Sequence, residues 1–153
     1  MNKPIVAAML LAFAIPAGAM AQMGSVGMQS DNLKWVPAPP FLPPGAQVAI
    51  LSGDPGKEGP FVLRGKHPAG YKIPAHTHPK DENVTVISGS FHIGMGPKLD
   101  ETKGETLTAG GYALVPKAMQ HYVWFTEETI IQVHGIGPVE FSYVNPTDDP
   151  RNK

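Results

Sequence analysis

The sequence predicts an all-β protein, built as a sandwich or a barrel of short strands. The first observation is composition, since 17 glycines and 17 prolines occur among the 153 residues. Proline removes a backbone donor and glycine costs conformational entropy, so long helices cannot run through such a sequence. The second observation is that about eight short strand-like segments are each closed by glycine or proline. We therefore expect neither a helical bundle nor a doubly wound α/β domain.

Length and charge narrow the classes of function. A chain of 153 residues allows one domain with its own core and leaves no room for two. The net charge of −1 gives no basic surface for nucleic acid, so no nucleic-acid partner is expected. The chain has no cysteine, which rules out disulfides, thiolate metal ligands and a catalytic thiol.

Residues 1–21 predict a secretory signal peptide. Lys3 precedes an uncharged apolar run from Ile5 to Ile15, which is too short to span a bilayer. The small residues Ala19 and Ala21 indicate cleavage between Ala21 and Gln22. We therefore expect a periplasmic or secreted protein that folds after export and has no stable membrane anchor after cleavage.

The mature chain is expected to consist of an arm, a barrel and a tail. Residues 22–46 form a flexible and proline-rich N-terminal arm, because five prolines lie between Trp35 and Pro44. The aromatic residues of this arm favour an arm laid on the domain over a linker or a recognition motif. The barrel is expected over residues 47–144 and a polar tail over residues 145–153. The predicted strands are Gln47–Leu51, Phe61–Arg64, Val84–Ile87, Phe91–Gly94, Tyr112–Val115, His121–Phe125, Thr129–His134 and Val139–Val144.

Three histidines and one glutamate are candidate metal ligands. His76 and His78 are two residues apart, which places them on the same face of an extended strand. Glu82 lies in register with two valines, and His121 lies in register with a valine and a phenylalanine. An unpaired carboxylate on such an apolar face is costly. A divalent cation bound by the carboxylate and by neutral imidazoles removes that cost.

The spacing of these residues resembles the cupin family. The pattern Gly70-x5-His76-x-His78-x3-Glu82-x6-Gly89 agrees with the first cupin motif at every specified position.

The second cupin motif is imperfect in this chain. It starts with Gly110-x5-Pro116 and ends at His121. Ala118 stands where the family usually has glycine, and Phe125 stands where the family has asparagine. The resemblance spans roughly residues 47–144. It implies a small single-domain cupin, a jelly-roll β-barrel (double-stranded β-helix) with a metal on His76, His78, Glu82 and His121.

The implied ligand set favours an enzyme acting on a small molecule. Three imidazoles and one carboxylate leave open positions on the metal, which are typical of catalytic or ligand-binding sites. Cupins with such sites include oxygenases, isomerases, lyases and decarboxylases. The alternative is a non-catalytic periplasmic module that binds or senses a metal or ligand. Folding after export favours Zn or Cu, while Fe, Mn and Ni suit the same ligands.

Further polar residues are candidates for roles around the metal. Gln132 and His134 share one face of a predicted strand, where they are candidate catalytic residues that bond a metal-bound water or substrate. The alternative is that both face solvent. Arg64 is either a clamp for an anionic substrate or an exposed strand arginine. His92 is expected to point outward, and His67, in a Lys-His-Pro turn, receives no role. The resemblance also implies a homodimer, since many cupins pair through strands and N-terminal arms.

Overall fold

Two antiparallel β-sheets make up the computed structural model, which describes residues 27–153. One sheet has six strands and the other has five. This arrangement confirms the predicted all-β class. In chain order the strands are β1 (Val36–Pro37), β2 (Gln47–Ser52), β3 (Gly59–His67), β4 (Lys72–Thr77), β5 (Glu82–Ser88), β6 (Ser90–Met95), β7 (Glu105–Thr108), β8 (Tyr112–Val115), β9 (His121–Trp124), β10 (Thr129–Gly137) and β11 (Ser142–Tyr143).

The sheets enclose one main core. The six-stranded sheet has the order β1-β2-β3-β10-β5-β8, and the five-stranded sheet has the order β11-β4-β9-β6-β7. Alternate residues of β5 and β9 face inward, and Val84, Val86 and Val123 are buried there. Among residues 27–153, no helix has both the length and the apolar composition needed to cross a membrane. The helices in the described part of the chain are three short 3-10 turns at Ser30–Asn32, Pro146–Asp148 and Pro150–Asn152.

Each of the eight predicted strands overlaps a strand of the structure, but β4 was not predicted. Its sequence contains Pro74, which has no backbone N–H to donate to a neighbouring strand. The structure accommodates this proline at an irregularity, because the pairing of β4 with β9 shifts register between Ile73 and His76. The short strands β1 and β7 were also missed. The predicted signal peptide and its cleavage site lie outside the described residues.

The proline-rich arm lies against the barrel. The Phe41 ring stacks on Phe141 with 5.0 Å between ring centroids. The Tyr143 hydroxyl donates to the Phe41 carbonyl at 2.7 Å, and the Tyr71 hydroxyl donates to the Pro43 carbonyl at 2.5 Å. Two hydroxyls from the barrel therefore hold the backbone of the arm, and stacking holds one of its side chains.

Candidate functional site

His76 and His121 face each other across two paired strands. They are direct cross-strand partners on β4 and β9, and their ring centroids are 4.2 Å apart. Side chains that are opposite each other in an antiparallel pair interact directly. Both residues are 2% exposed. The strand register alone therefore brings together two histidines that are 45 positions apart in the sequence.

His78 completes a cluster of three histidines. It follows the end of β4, and its ring centroid is 4.7 Å from that of His121. One ring nitrogen of each residue can be chosen so that all three lie within 4.8 Å of one another. The predicted grouping of His76, His78 and His121 is therefore present in the fold.

Glu82 lies at the edge of this three-histidine cluster. It is the first residue of β5, and its Oε2 is 3.5 Å from Nε2 of His78. Its side chain is 19% exposed and contacts His78. Glu82 is not a member of the group of three residues whose ring nitrogens lie within 4.8 Å of one another. Burial raises the pKa of the Glu82 carboxyl to about 7. A cation in the cluster would favour the ionised form of this carboxyl.

Hydrogen bonds fix the protonation of two of the rings. Nδ1 of His76 donates to the Pro74 carbonyl at 2.8 Å, and Nδ1 of His121 donates to the Met119 carbonyl at 3.0 Å. A carbonyl only accepts, so both protons sit on Nδ1 and each Nε2 keeps a free lone pair.

His78 differs from the other two histidines because, among residues 27–153, neither of its ring nitrogens has a hydrogen-bonding partner. Burial lowers the pKa of all three histidines, that of His78 to about 4. Neutral imidazoles with unused nitrogens are what a metal requires of its ligands. The residues present therefore fit a divalent cation.

A strained turn connects the two halves of the cluster. Ala118 has a φ of 61°, the left-handed conformation that side chains other than glycine rarely adopt. Its N–H donates to the His78 carbonyl at 2.8 Å. The turn therefore joins the loop after His78 to the segment that leads into His121.

An apolar cavity of about 230 Å³ opens from the cluster into the barrel. His76, His121 and Glu82 line one end of it. The other polar side chain in its wall is His67. The rest of the wall comes from the barrel interior and from the arm, and includes Leu42, Leu63, Ile73, Val84, Phe91, Val123, Phe125, Val133 and Phe141.

The predicted catalytic residues Gln132 and His134 do not line this cavity. Their neighbours Ile131 and Val133 on β10 do so, which places Gln132 and His134 on the opposite face of the strand. Gln132 Oε1 accepts a hydrogen bond from Arg64 Nε at 3.3 Å on that outer face. The expected role of Gln132 and His134 at a metal-bound water or substrate is corrected accordingly, because the apolar residues of β10 face the cavity instead. Arg64 is likewise no clamp for a substrate in this cavity.

His67 is the part of the cavity wall that sequence reasoning missed. The strand around Arg64 was expected to end there, but β3 continues to His67. The alternation from Phe61 through Leu63 and Gly65 places His67 on the inner face. A predicted strand that extended to His67 would have placed this residue on the inner face.

The fold is shared with solved cupin structures. An acetylacetone dioxygenase from Acinetobacter johnsonii is 17% identical, with a TM-score of 0.61 over 97% of this chain and 86% of that chain. The polyketide cyclase RemF from Streptomyces resistomycificus is 16% identical, with a TM-score of 0.64 over 83% of this chain and 90% of that chain. An RmlC-like cupin from Ralstonia eutropha JMP134 is 20% identical, with a TM-score of 0.61 over 82% and 76% of the two chains. At these identities the similarity shows the jelly-roll fold alone.

Sequence comparison identifies the family. No curated protein matches the chain. The profile of the ChrR cupin-like domain matches residues 23–140, which is most of the chain and includes all four candidate ligands. The chain therefore belongs to the ChrR cupin-like domain family of the cupin superfamily.

Proposed function

We propose that this protein is a metal-dependent enzyme that acts on a small, largely apolar carbonyl compound, with oxygenase chemistry. One observation carries the proposal. Two imidazoles of the three-histidine cluster and the Glu82 carboxylate line one end of a cavity whose remaining wall is almost entirely apolar. Cavities of this kind, with a few convergent polar groups, are typical of small-molecule sites.

The metal would be held by His76, His78 and His121, with Glu82 as a fourth ligand. A divalent metal supplies Lewis-acid or oxygen-activating chemistry when bound in such a site. Imidazole and carboxylate ligands suit Zn, Cu, Fe, Mn and Ni. Export of the chain, proposed from the sequence of residues 1–21, favours Zn or Cu because these bind most tightly in the intrinsic affinity order.

Packing against the ligands keeps them in place. The Phe141 ring stacks on His76 with 4.4 Å between centroids and an interplanar angle of 15°. Phe41 of the arm stacks in turn on Phe141. Ligand rings that are fixed by their neighbours hold a metal or a substrate in a defined orientation.

The apolar wall restricts the substrate class. A polyhydroxylated substrate such as a sugar would leave hydroxyl groups without partners against Val84, Val123 and Val133. A small carbonyl compound places its oxygen at the cluster and its carbon atoms along the wall. The acetylacetone dioxygenase with the same fold supports oxygenase chemistry over isomerase, lyase or decarboxylase chemistry.

The test is reconstitution of the metal-free protein with Zn, Cu, Fe, Mn or Ni, followed by oxygen uptake with acetylacetone and with 2,4-octanedione. We expect oxygen uptake that depends on both metal and diketone. His121→Ala should lose at least tenfold in metal affinity and all uptake, because it removes one ligand. The matched control is His92→Ala. His92 bonds Thr106 and Thr126, stacks on Trp124 and is not part of the cavity wall, so this variant should keep both properties.

A second candidate function is a non-catalytic module that binds a metal or a ligand. The observation that favours it is the family match, because the description of that family names a cupin-like domain of ChrR and no enzymatic activity. Wild-type protein with full metal occupancy but without oxygen uptake or conversion of either diketone would support this second function. It would contradict the first.

A further inference from the structure

A buried histidine lies at the far end of the cavity from the three-histidine cluster. His67 is 4% exposed and lies on the inner face of β3 with Leu63 and Gly65. Its ring stacks on Phe125, and Phe125 is four residues after His121 on the same extended segment. Four residues correspond to about 13 Å along a strand. The cavity thus carries polar groups at both of its ends.

The ring of His67 is held in one orientation. It lies parallel to the Phe125 ring, with 4.2 Å between centroids and an interplanar angle of 2°, and the Tyr71 ring is 5.3 Å away. Gly65 leaves the space that the ring occupies, since a Cβ at that position would lie 2.7 Å from Cε1 of His67. A side chain larger than glycine would push the ring out of this position.

His67 has a polar atom without a partner. Its Nδ1 is buried and has no hydrogen bond within the described residues. A buried polar atom without a partner is unfavourable, and such atoms are rare in native structures. Burial lowers the pKa of His67 to about 4, and a backbone contact with Thr129 opposes that shift only in part. The imidazole is therefore neutral at pH 7 and offers one donor and one acceptor.

The wall between the two polar ends is apolar. Ile73, Val123 and Val133 lie in it, and none of them can form a hydrogen bond through its side chain. A ligand that reaches both ends needs an oxygen at the cluster, a hydrocarbon middle and one further polar group. The strand length of about 13 Å from His121 to Phe125, less about 5 Å for contacts at both ends, leaves about 8 Å, roughly six carbon–carbon steps.

We infer that His67 is a binding residue that recognises a hydroxyl or carbonyl group at the distal end of an elongated, otherwise apolar ligand. This inference rests on the proposed function in one respect, since the near end of the ligand lies at the metal cluster. It adds a substrate class: a chain of six to ten carbons with an oxygen-containing group at the metal end and a second polar group at the opposite end.

The test compares ω-hydroxy fatty acids of six to ten carbons with the unsubstituted acids of the same lengths. Their carboxylates are probes for the metal end, and calorimetry on the Zn-loaded full chain measures each Kd. We expect the hydroxy acid to bind about tenfold more tightly than its partner at the best length, since one hydrogen bond is gained. His67→Phe should abolish this preference and leave the unsubstituted acids unaffected. His92→Phe is the matched control, because His92 is also stacked on an aromatic ring but lies outside the cavity. This variant should keep the preference.

The outcomes separate this inference from the proposed function. Equal affinity of wild-type protein for hydroxylated and unsubstituted acids, with normal metal content, overturns the role of His67 and leaves the metal site intact. An equal loss for both series in His67→Phe shows a structural role and overturns it as well. The role of His67 is also overturned if a crystal structure with the hydroxy acid shows an ordered water still bound to Nδ1 of His67. Failure of every acid to bind the Zn-loaded protein also overturns the role of His67, whereas the proposed function is overturned by the absence of oxygen uptake with the diketones. The wild-type comparison stands even if His67→Phe does not fold.

Discussion

Replacement of Ala118 by glycine should stabilise the protein. Ala118 has a φ of 61°, and left-handed backbone costs a residue with a Cβ about 1–2 kcal/mol. Its side chain is exposed, so removal of the methyl group gives up little packing. Glycine adds about 0.5–1 kcal/mol of conformational entropy cost on folding. Taking the middle of each range, the net gain in the free energy of unfolding is about 0.75 kcal/mol.

The measurement is urea unfolding of the metal-free protein, so that metal binding does not mask the change. With an ordinary slope, the midpoint should rise by about 0.3–0.5 M urea. Ala109→Gly is the matched control, because Ala109 is also exposed in a turn but has no positive φ. This control should lose about 0.5–1 kcal/mol. The reasoning is refuted if Ala118→Gly is no more stable than wild type, or loses as much as the control.

Two further predictions concern acidification and packing. In the metal-free protein the pKa of His67 is about 4, below the ordinary value of about 6.5 in an unfolded chain. The unfolded state therefore binds more protons below pH 6.5, and stability falls from there toward pH 4. This residue alone accounts for about 2 kcal/mol at pH 5, so the difference in unfolding free energy between pH 8 and pH 5 should shrink by that amount in His67→Phe. If the difference in unfolding free energy between pH 8 and pH 5 is unchanged in His67→Phe, the pH dependence does not come from His67. Gly94→Ala places a Cβ against the buried ring of Tyr122 and should cost about 1–3 kcal/mol in thermal or urea unfolding. In Gly27→Ala, where no atom lies within 4 Å of the added Cβ, stability should stay unchanged.

The sequence was sufficient to predict the strands and candidate ligands whose residues follow a recognisable local pattern. His76, His78 and His121 could be grouped because two of them share a strand face and because the spacing matches a family motif. Strand bounds were less accurate where a proline interrupts the pattern. Pro74 hid β4, because the sequence does not reveal that a register shift in the pairing with β9 accommodates this proline.

The lining of the cavity was predicted less well, because it depends on which face of each strand points inward. Gln132 and His134 alternate with Ile131 and Val133, and the metal site suggested that polar residues would face it. In the structure the apolar pair faces inward, as burial of nonpolar surface favours. His67 was missed for the related reason that the length of β3 depends on pairing with β10, where His67 opposes Thr129.

The aromatic stack that runs from Phe41 through Phe141 to His76 connects the N-terminal segment to the three-histidine cluster. Part of the cavity wall comes from this segment, through the side chains of Pro39, Phe41 and Leu42. A fragment beginning at Gln47 would keep all four candidate ligands and still present a different, wider chamber. Sequence changes near residue 41 can therefore reshape this cavity while every candidate metal ligand stays the same.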